Sequence, residues 1–175
     1  MAVYNVHSRV LPGADADEAG ALLDGLATDH DRLWPGDNWP PVRFDRPLSV
    51  GADGGHGPIR YRVEGYAPGQ WVLFTFTGPR GADGFHEFAV LPRPDGVELR
   101  HTLAIHARGP ARLSWPFVFR WLHDALLEDL LDRAEREVTG TVRRPARWSS
   151  YVRILRGLAR GRRPDVVPDL VHSDV

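Results

Sequence analysis

Gly84 to Gly109, GFHEFAVLPRPDGVELRHTLAIHARG, is the stretch that decides the fold. It reads as two alternating strands, Phe85–Leu91 and Val97–Ala107, joined by a Pro-Asp-Gly turn. A long helical pattern of roughly seven turns follows directly, from Trp115 to Thr139. At 100° steps Trp115, Phe119, Leu122, Leu126 and Leu130 fall in one stripe, with Asp124, Glu128 and Glu135 opposite. An apolar stripe of this kind must be buried on something, and the sheet is the surface on offer. The acids on the other side are expected to be solvated, Asp124 and Glu128 included.

Upstream, the chain supplies the rest of a sheet. Val3–Val10 alternates around Tyr4, Val6 and Ser8 and reads as a first strand, stopped by Pro12-Gly13. Asp15 stands three residues before Glu18, a capping-box spacing, and Ala19, Leu22, Leu23 and Leu26 give the helix behind it an apolar face to about Thr28. Asp29–Leu33 reads as a second short helical turn. LWPGDNWPPVRF is too rich in Trp and Pro for regular structure. Arg43–Val50 then reads as an edge strand weakened by Pro47, and GADGGHG as a loop. Ile59–Tyr66 and Gln70–Thr77 complete a meander of six strands with the hairpin. The expected architecture is therefore α+β: a curved antiparallel six-stranded sheet wrapped around a long C-terminal helix.

Composition excludes several classes. The chain has 175 residues, enough for one domain and a tail. It has no Cys, so disulfides, thiolate nucleophiles and Cys-based metal centres are excluded. No basic-then-apolar leader opens the chain, and no run of about 18 apolar residues occurs, so a cytoplasmic location is the default expectation. Neither GxxxxGK nor GxGxxG is present, and the short spacings of zinc motifs are missing, so no cofactor and no metal are expected. Up to Gly140 the chain carries 14 Arg and 20 acids; from Thr141 onward it carries 8 Arg and 3 acids. That break places the end of the folded domain near Gly140, with residues 1–140 as the ligand-binding unit and 141–175 as an Arg-rich tail.

The element order, the phrase GGHGPIRYRVEGYAPGQWVLFTFTG, and the pair GFHEF and DGVELRHTL leading into WLHDALLEDLLDRAE together resemble the SRPBCC superfamily, the START/Bet v 1-like group that includes polyketide cyclases and lipid-transfer domains. The resemblance covers about residues 3–139. It implies a helix-grip fold that binds a small hydrophobic molecule between sheet and C-terminal helix, either with cyclase- or dehydratase-like activity or as a non-catalytic lipid carrier or sensor. A protein-interaction module with a filled core is the remaining alternative. The superfamily has no universal catalytic motif, so it transfers no catalytic residue.

Period-two alternation sorts the hairpin into faces. Leu99, Leu103 and Ile105 share a face with His101, and Phe88 and Val90 share one with His86. If Val90 opposes Val97 across the turn, His86 lies directly opposite His101, with Cβ atoms about 5 Å apart. His123 falls near the centre of the helix's apolar stripe. His86, His101 and His123 are thus the catalytic candidates, suited to proton transfer near neutral pH. The competing readings are three satisfied internal histidines, or a three-His metal site. Tyr61, Phe74, Phe76, Phe88, Leu103, Phe119 and Leu126 join the three histidines as the expected ligand-lining set. Arg60, Arg62 and Glu64 alternate with Ile59, Tyr61 and Val63 and are expected outside.

In the tail, Tyr151, Val152, Leu155 and Leu158 recur at helical spacing, with Arg153, Arg156 and Arg160 on another side, predicting a short amphipathic helix within 148–160. It packs back on its own domain or on a second copy in a homodimer, or it meets a membrane surface or a protein partner. Nucleic acid is not favoured on one short basic stretch.

Overall fold

The structure is a computed structural model and describes residues 1–160. Seven strands form one antiparallel sheet in the order β1-β7-β6-β5-β4-β3-β2. They are β1 (Ala2–Pro12), β2 (Val42–Phe44), β3 (Asp53–His56), β4 (Ile59–Ala67), β5 (Trp71–Gly78), β6 (Ala82–Arg93) and β7 (Gly96–Ala107). α1 (Ala16–Asp24) follows β1. α2 (Ala111–Ser114) and a π-helical turn, Trp115–Phe119, lead into α3 (Arg120–Thr139), and α4 (Ser150–Arg160) ends the described chain. Irregular register between β4 and β5, at Arg60/Tyr61 and Val63/Gly65, bends the sheet. None of the described helices is long and apolar enough to cross a membrane.

Six strands were expected and seven are present, because the glycine-rich loop is itself a strand. Arg43–Val50 is extended only over Val42–Phe44, and it pairs with Asp53–His56. The glycines that suggest a loop are what allow this close pairing. A Cβ on Gly54 would stand 2.2 Å from the Arg43 carbonyl oxygen, and one on Gly55 would stand 2.0 Å from that of Ile59.

α1 begins where the capping spacing places it, with Asp15 Oδ1 accepting from the Glu18 amide at 2.7 Å. It ends at Asp24, short of Thr28, and Asp29–Leu33 is not helical. α1 packs on β6, β7 and α3 and buries Leu22 and Leu23 in the main core with Leu11, Val63, Phe74, Leu99, Leu130 and Leu131. Gly20 sets how closely α1 approaches the β4–β5 turn: a Cβ there would meet the Gly69 carbonyl oxygen at 2.4 Å. Both sides of that contact are backbone, so neither can rotate away. Gly20→Ala is expected to destabilise the fold by about 1–3 kcal/mol through overpacking. Equal urea midpoints for variant and parent would refute this.

The hairpin register differs from the expected one by two residues. Pro94 and Asp95 alone form its loop, so Arg93 pairs with Gly96, Val90 with Leu99, and His86 with Leu103 rather than His101. A slip of two keeps every side chain on its face, so the inner set is unchanged.

α3 corrects the sequence expectation most strongly. Its acids are not the solvated side. Asp124, Glu128, Asp132 and Glu135 recur every turn and lie against the inner face of β1, which presents Asn5, His7 and Arg9 rather than Tyr4, Val6 and Ser8. Tyr4 is 74% exposed, whereas Glu135 is 1% exposed. β1 is an edge strand, and its neighbour across the helix is charged; charge complementarity therefore sets the strand's facing against hydrophobicity.

Gly140 ends α3 but not the packing. The chain returns along α3, where Trp148 Nε1 donates to Asp129 at 2.9 Å and Trp39 Nε1 donates to the same carboxylate at 2.7 Å. Val152 of α4 is buried, and the Arg156 guanidinium stacks 4.1 Å from the Trp39 ring centre and 4.9 Å from that of Trp148. Residues 161–175 of the expected tail lie outside the described residues.

Candidate functional site

The inner wall of the sheet changes character from one edge to the other. β1 contributes Asn5, His7 and Arg9; β7 and β6 contribute His101, His86 and Phe88; β5 and β4 contribute Phe74, Phe76 and Tyr61. The result is a row of imidazoles running from a charged edge into an aromatic interior. The rings of His7 and His123 lie 5.9 Å apart, those of His123 and His101 5.2 Å, and those of His101 and His86 5.4 Å. His101 Nε2 and His86 Nδ1 are 3.3 Å apart, within hydrogen-bond reach.

His86, His101 and His123 are therefore brought together. His86 stacks between Phe74 at 4.8 Å and Phe76 at 4.9 Å and meets the Tyr61 ring edge-on at 4.7 Å. Phe88 packs on His101 at 4.7 Å, and Trp115 lies 5.8 Å from His123. Leu103 and Leu126 are buried apolar surface, and Phe119 is half-buried in the π turn. Arg60, Arg62 and Glu64 are exposed, with Arg62 paired to Asp53 across β3 and β4 at 2.7 Å.

Sequence reasoning missed His7, Asn5, Arg9 and His56. The signal for the first three was present, since a polar, basic period-two set and an acidic helical-period set are opposite in sign. His7 Nδ1 lies 2.9 Å from Glu128 Oε1, and its Nε2 lies 3.1 Å from Asp124 Oδ1. Asn5 Nδ2 donates to the same Asp124 oxygen at 3.2 Å. Arg9 bridges Glu128 at 3.0 Å, Asp132 at 2.8 Å and Glu135 at 2.7 Å. His56 gave no such signal; it sits behind Tyr61, 4.8 Å from the Trp34 ring.

These surroundings divide the histidines by charge. Burial opposes a proton on His7, but the hydrogen bonds of Asp124 and Glu128 outweigh it and raise its pKa to about 9. Against the effect of burial, His123 first and His7 second hold the Asp124 carboxyl well below the usual carboxylate range. Burial first, and the neighbouring imidazoles second, push His86 and His101 well below the ordinary histidine value. Burial also lowers His123, partly offset by Asp124, and lowers His56 to about 4. At neutral pH the row is one imidazolium at the edge and neutral rings inside.

Among the described residues, His7, His123 and Asp124 have donor atoms all within 4.8 Å of one another, the one set close enough to hold a metal ion. A metal there would have to displace the proton that Asp124 and Glu128 favour on His7. His86 and His101, expected beside His123, are not part of it.

Four buried imidazole nitrogens make no hydrogen bond: His86 Nε2, His101 Nδ1 and both nitrogens of His123, whose Nδ1 lies 3.5 Å from Asp124 Oδ1. A groove of about 400 Å³ adjoins the row, lined by Met1–Asn5, Trp115, Pro116 and Arg120. Asn5 and Trp115 belong to both: Asn5 bonds Asp124, and Trp115 packs on His123.

No protein-family model matches the chain, and no curated protein matches it. Solved structures do. Norcoclaurine synthase from Thalictrum flavum is 14% identical, covering 78% of this chain and 92% of that one, with a TM-score of 0.59. The di-domain ARO/CYC protein StfQ of the steffimycin biosynthetic pathway is also 14% identical, covering 80% of this chain and 51% of its own, at 0.59. CalU16 from Micromonospora echinospora is 12% identical over 90% of this chain and 83% of that one, at 0.53. At these identities the likeness shows the fold alone: a seven-stranded antiparallel sheet gripping a long helix, as in these structures.

Proposed function

We propose that the protein binds a small hydrophobic molecule carrying a polar group between the sheet and α3, reached through the groove beside Trp115. The observation that carries this reading is the set of buried imidazole nitrogens without hydrogen bonds, on His86, His101 and His123, beside an aromatic wall. An unsatisfied buried polar atom costs about 1–3 kcal/mol, and a carbonyl or hydroxyl on a bound molecule would satisfy it. The aromatic rings of Tyr61, Phe74 and Phe76 offer flat surface to the apolar part of such a molecule.

The same arrangement supports a cyclase- or dehydratase-like step, in keeping with the ARO/CYC protein StfQ among the structural neighbours. His86 and His101, held neutral by burial, are ready to accept a proton from a ligand carbon or hydroxyl. The lipid-carrier alternative uses the same wall without turnover.

Native mass spectrometry of the full chain is expected to show a co-purifying molecule that His101→Phe loses by about tenfold or more, because one polar anchor is worth roughly 1.4 kcal/mol. His101→Gln should keep the ligand while abolishing any turnover. A chain that carries no ligand and captures none from a hydrophobic small-molecule mixture would overturn the proposal in favour of a filled core.

A further inference from the structure

Six of the eleven exposed large apolar side chains among the described residues sit on two helical segments that touch each other. Leu113, Phe117 and Trp121 recur every four residues along α2, the π turn and the start of α3, at 68%, 63% and 43% exposure. Tyr151, Ile154 and Leu158 recur at helical spacing along α4, at 41%, 60% and 64% exposure. The two stripes join at Tyr151, whose ring lies 5.6 Å from that of Trp121 and whose hydroxyl donates to the Phe117 carbonyl at 2.5 Å. Apolar exposure on this scale, gathered in one place, marks a contact surface.

Its charge is of one sign. No acid occurs between Glu98 and Asp124, nor between Glu137 and Asp165. Arg112, Arg120, Arg144, Arg147 and Arg153 are exposed around the stripes. Of the nearby acids of α3, Glu128 is engaged by His7 and Arg9, and Asp124 by His7 and, at 3.7 Å, by Arg120.

We propose that this face docks on an anionic lipid bilayer, with the two apolar stripes in the headgroup boundary and the arginines on lipid phosphates. A helix with one strongly apolar face and a cationic remainder lies in the membrane interface, and Trp and Tyr side chains favour that depth. A second copy of the chain fits less well, because a two-fold interface through this patch sets arginine against arginine. Nucleic acid would use the arginines but leave Leu113, Ile154 and Leu158 in water.

The docking face adjoins the groove. Trp115, Pro116 and Arg120 line the groove, and Phe117 and Trp121 are their neighbours on the same segment. A hydrophobic molecule dissolved in the bilayer would therefore reach the groove without crossing water. This loading step rests on the ligand-binding reading above; the docking does not.

The test is co-sedimentation of the full chain with phosphatidylcholine vesicles, with and without phosphatidylglycerol. Binding is expected with phosphatidylglycerol, weakening as salt rises. Ile154→Asp with Leu158→Asp is expected to lower vesicle affinity by about tenfold or more. Both side chains are exposed, so an unchanged circular dichroism spectrum is expected alongside that loss. Arg147→Glu with Arg153→Glu should weaken binding to anionic vesicles in the same direction. Indifference of the parent to anionic vesicles, or equal binding by the Asp variant, overturns docking. A dimer in sedimentation equilibrium that the Asp variant abolishes overturns it too, in favour of a second copy. A chain that ignores vesicles yet retains a ligand leaves the ligand reading standing, and one that binds vesicles but no ligand leaves docking standing alone.

Discussion

Replacing Arg9 with Met is expected to destabilise the protein by about 3–5 kcal/mol, the usual loss when one partner of a buried ion cluster is removed. Arg9 carries the positive charge shared by Glu128, Asp132 and Glu135. Glu135 is 1% exposed and retains only Arg143, at 3.1 Å, once Arg9 is gone. Those hydrogen bonds keep the Glu135 carboxyl below its ordinary value even though burial pushes it up. Without Arg9 it must take up a proton or draw in water, and the β1–α3 contact loosens. Urea denaturation at pH 7 reads this as a lower midpoint at unchanged slope. The companion variant, Arg9→Met with Glu135→Leu, should recover part of the loss, because the orphaned charge is gone. A loss below about 1 kcal/mol for the single variant would mean the cluster behaves as a solvated surface pair.

Stability is expected to peak near pH 6.5 and to fall by about 3 kcal/mol toward pH 9.5, an order-of-magnitude figure from the raised pKa of His7. In the folded protein His7 holds its proton to about pH 9, while the unfolded chain releases it near 6.5. A raised folded-state value contributes in full below the unfolded one and is lost as pH rises through the folded one. The alkaline decline therefore spans about 6.5 to 9. On the acid side the sign reverses. His86, His101 and His123 lie below 6.5 in the folded state, and His56 lies at about 4. The unfolded chain takes up those protons first, so stability falls as pH drops below 6.5. Asp124, held low by His123 and His7, and Glu128, held low by His7, add to the acid loss. Urea midpoints from pH 5 to 9.5 should show both limbs. His7→Gln should flatten the alkaline limb and leave much of the acid one. An alkaline limb unchanged in that variant would remove His7 from the account.

The candidate site was half legible. His86, His101 and His123 could be placed on one inner wall because the strand period and the helix period each locate a side chain relative to apolar neighbours. That inference survives a register error of two, since a slip of two returns every residue to its own face. Asn5, His7 and Arg9 were illegible by the same rule. The rule sends apolar residues inward, and β1 exposes Tyr4 and Val6 while turning its polar set in. Only the partner, an acidic stripe more than a hundred residues later, makes that choice favourable. β3 was hidden for a related reason, since its glycines serve a close backbone approach that no local pattern reveals.

By itself, then, the sequence determined six of the seven strands, the hairpin's facing, the long helix and the inner-wall histidines, because these follow from local periodicity and turn chemistry. The change in charge beyond Gly140, read as the end of the folded domain, is instead followed by a segment that packs back on α3. Only the tertiary structure decided which side of α3 faces the sheet edge, which histidine keeps its proton, and how the arginine-rich segment returns to stack on Trp39 and Trp148. Each of those depends on the sum of burial and charge between segments distant in the chain. That sum exists only once the segments are in contact.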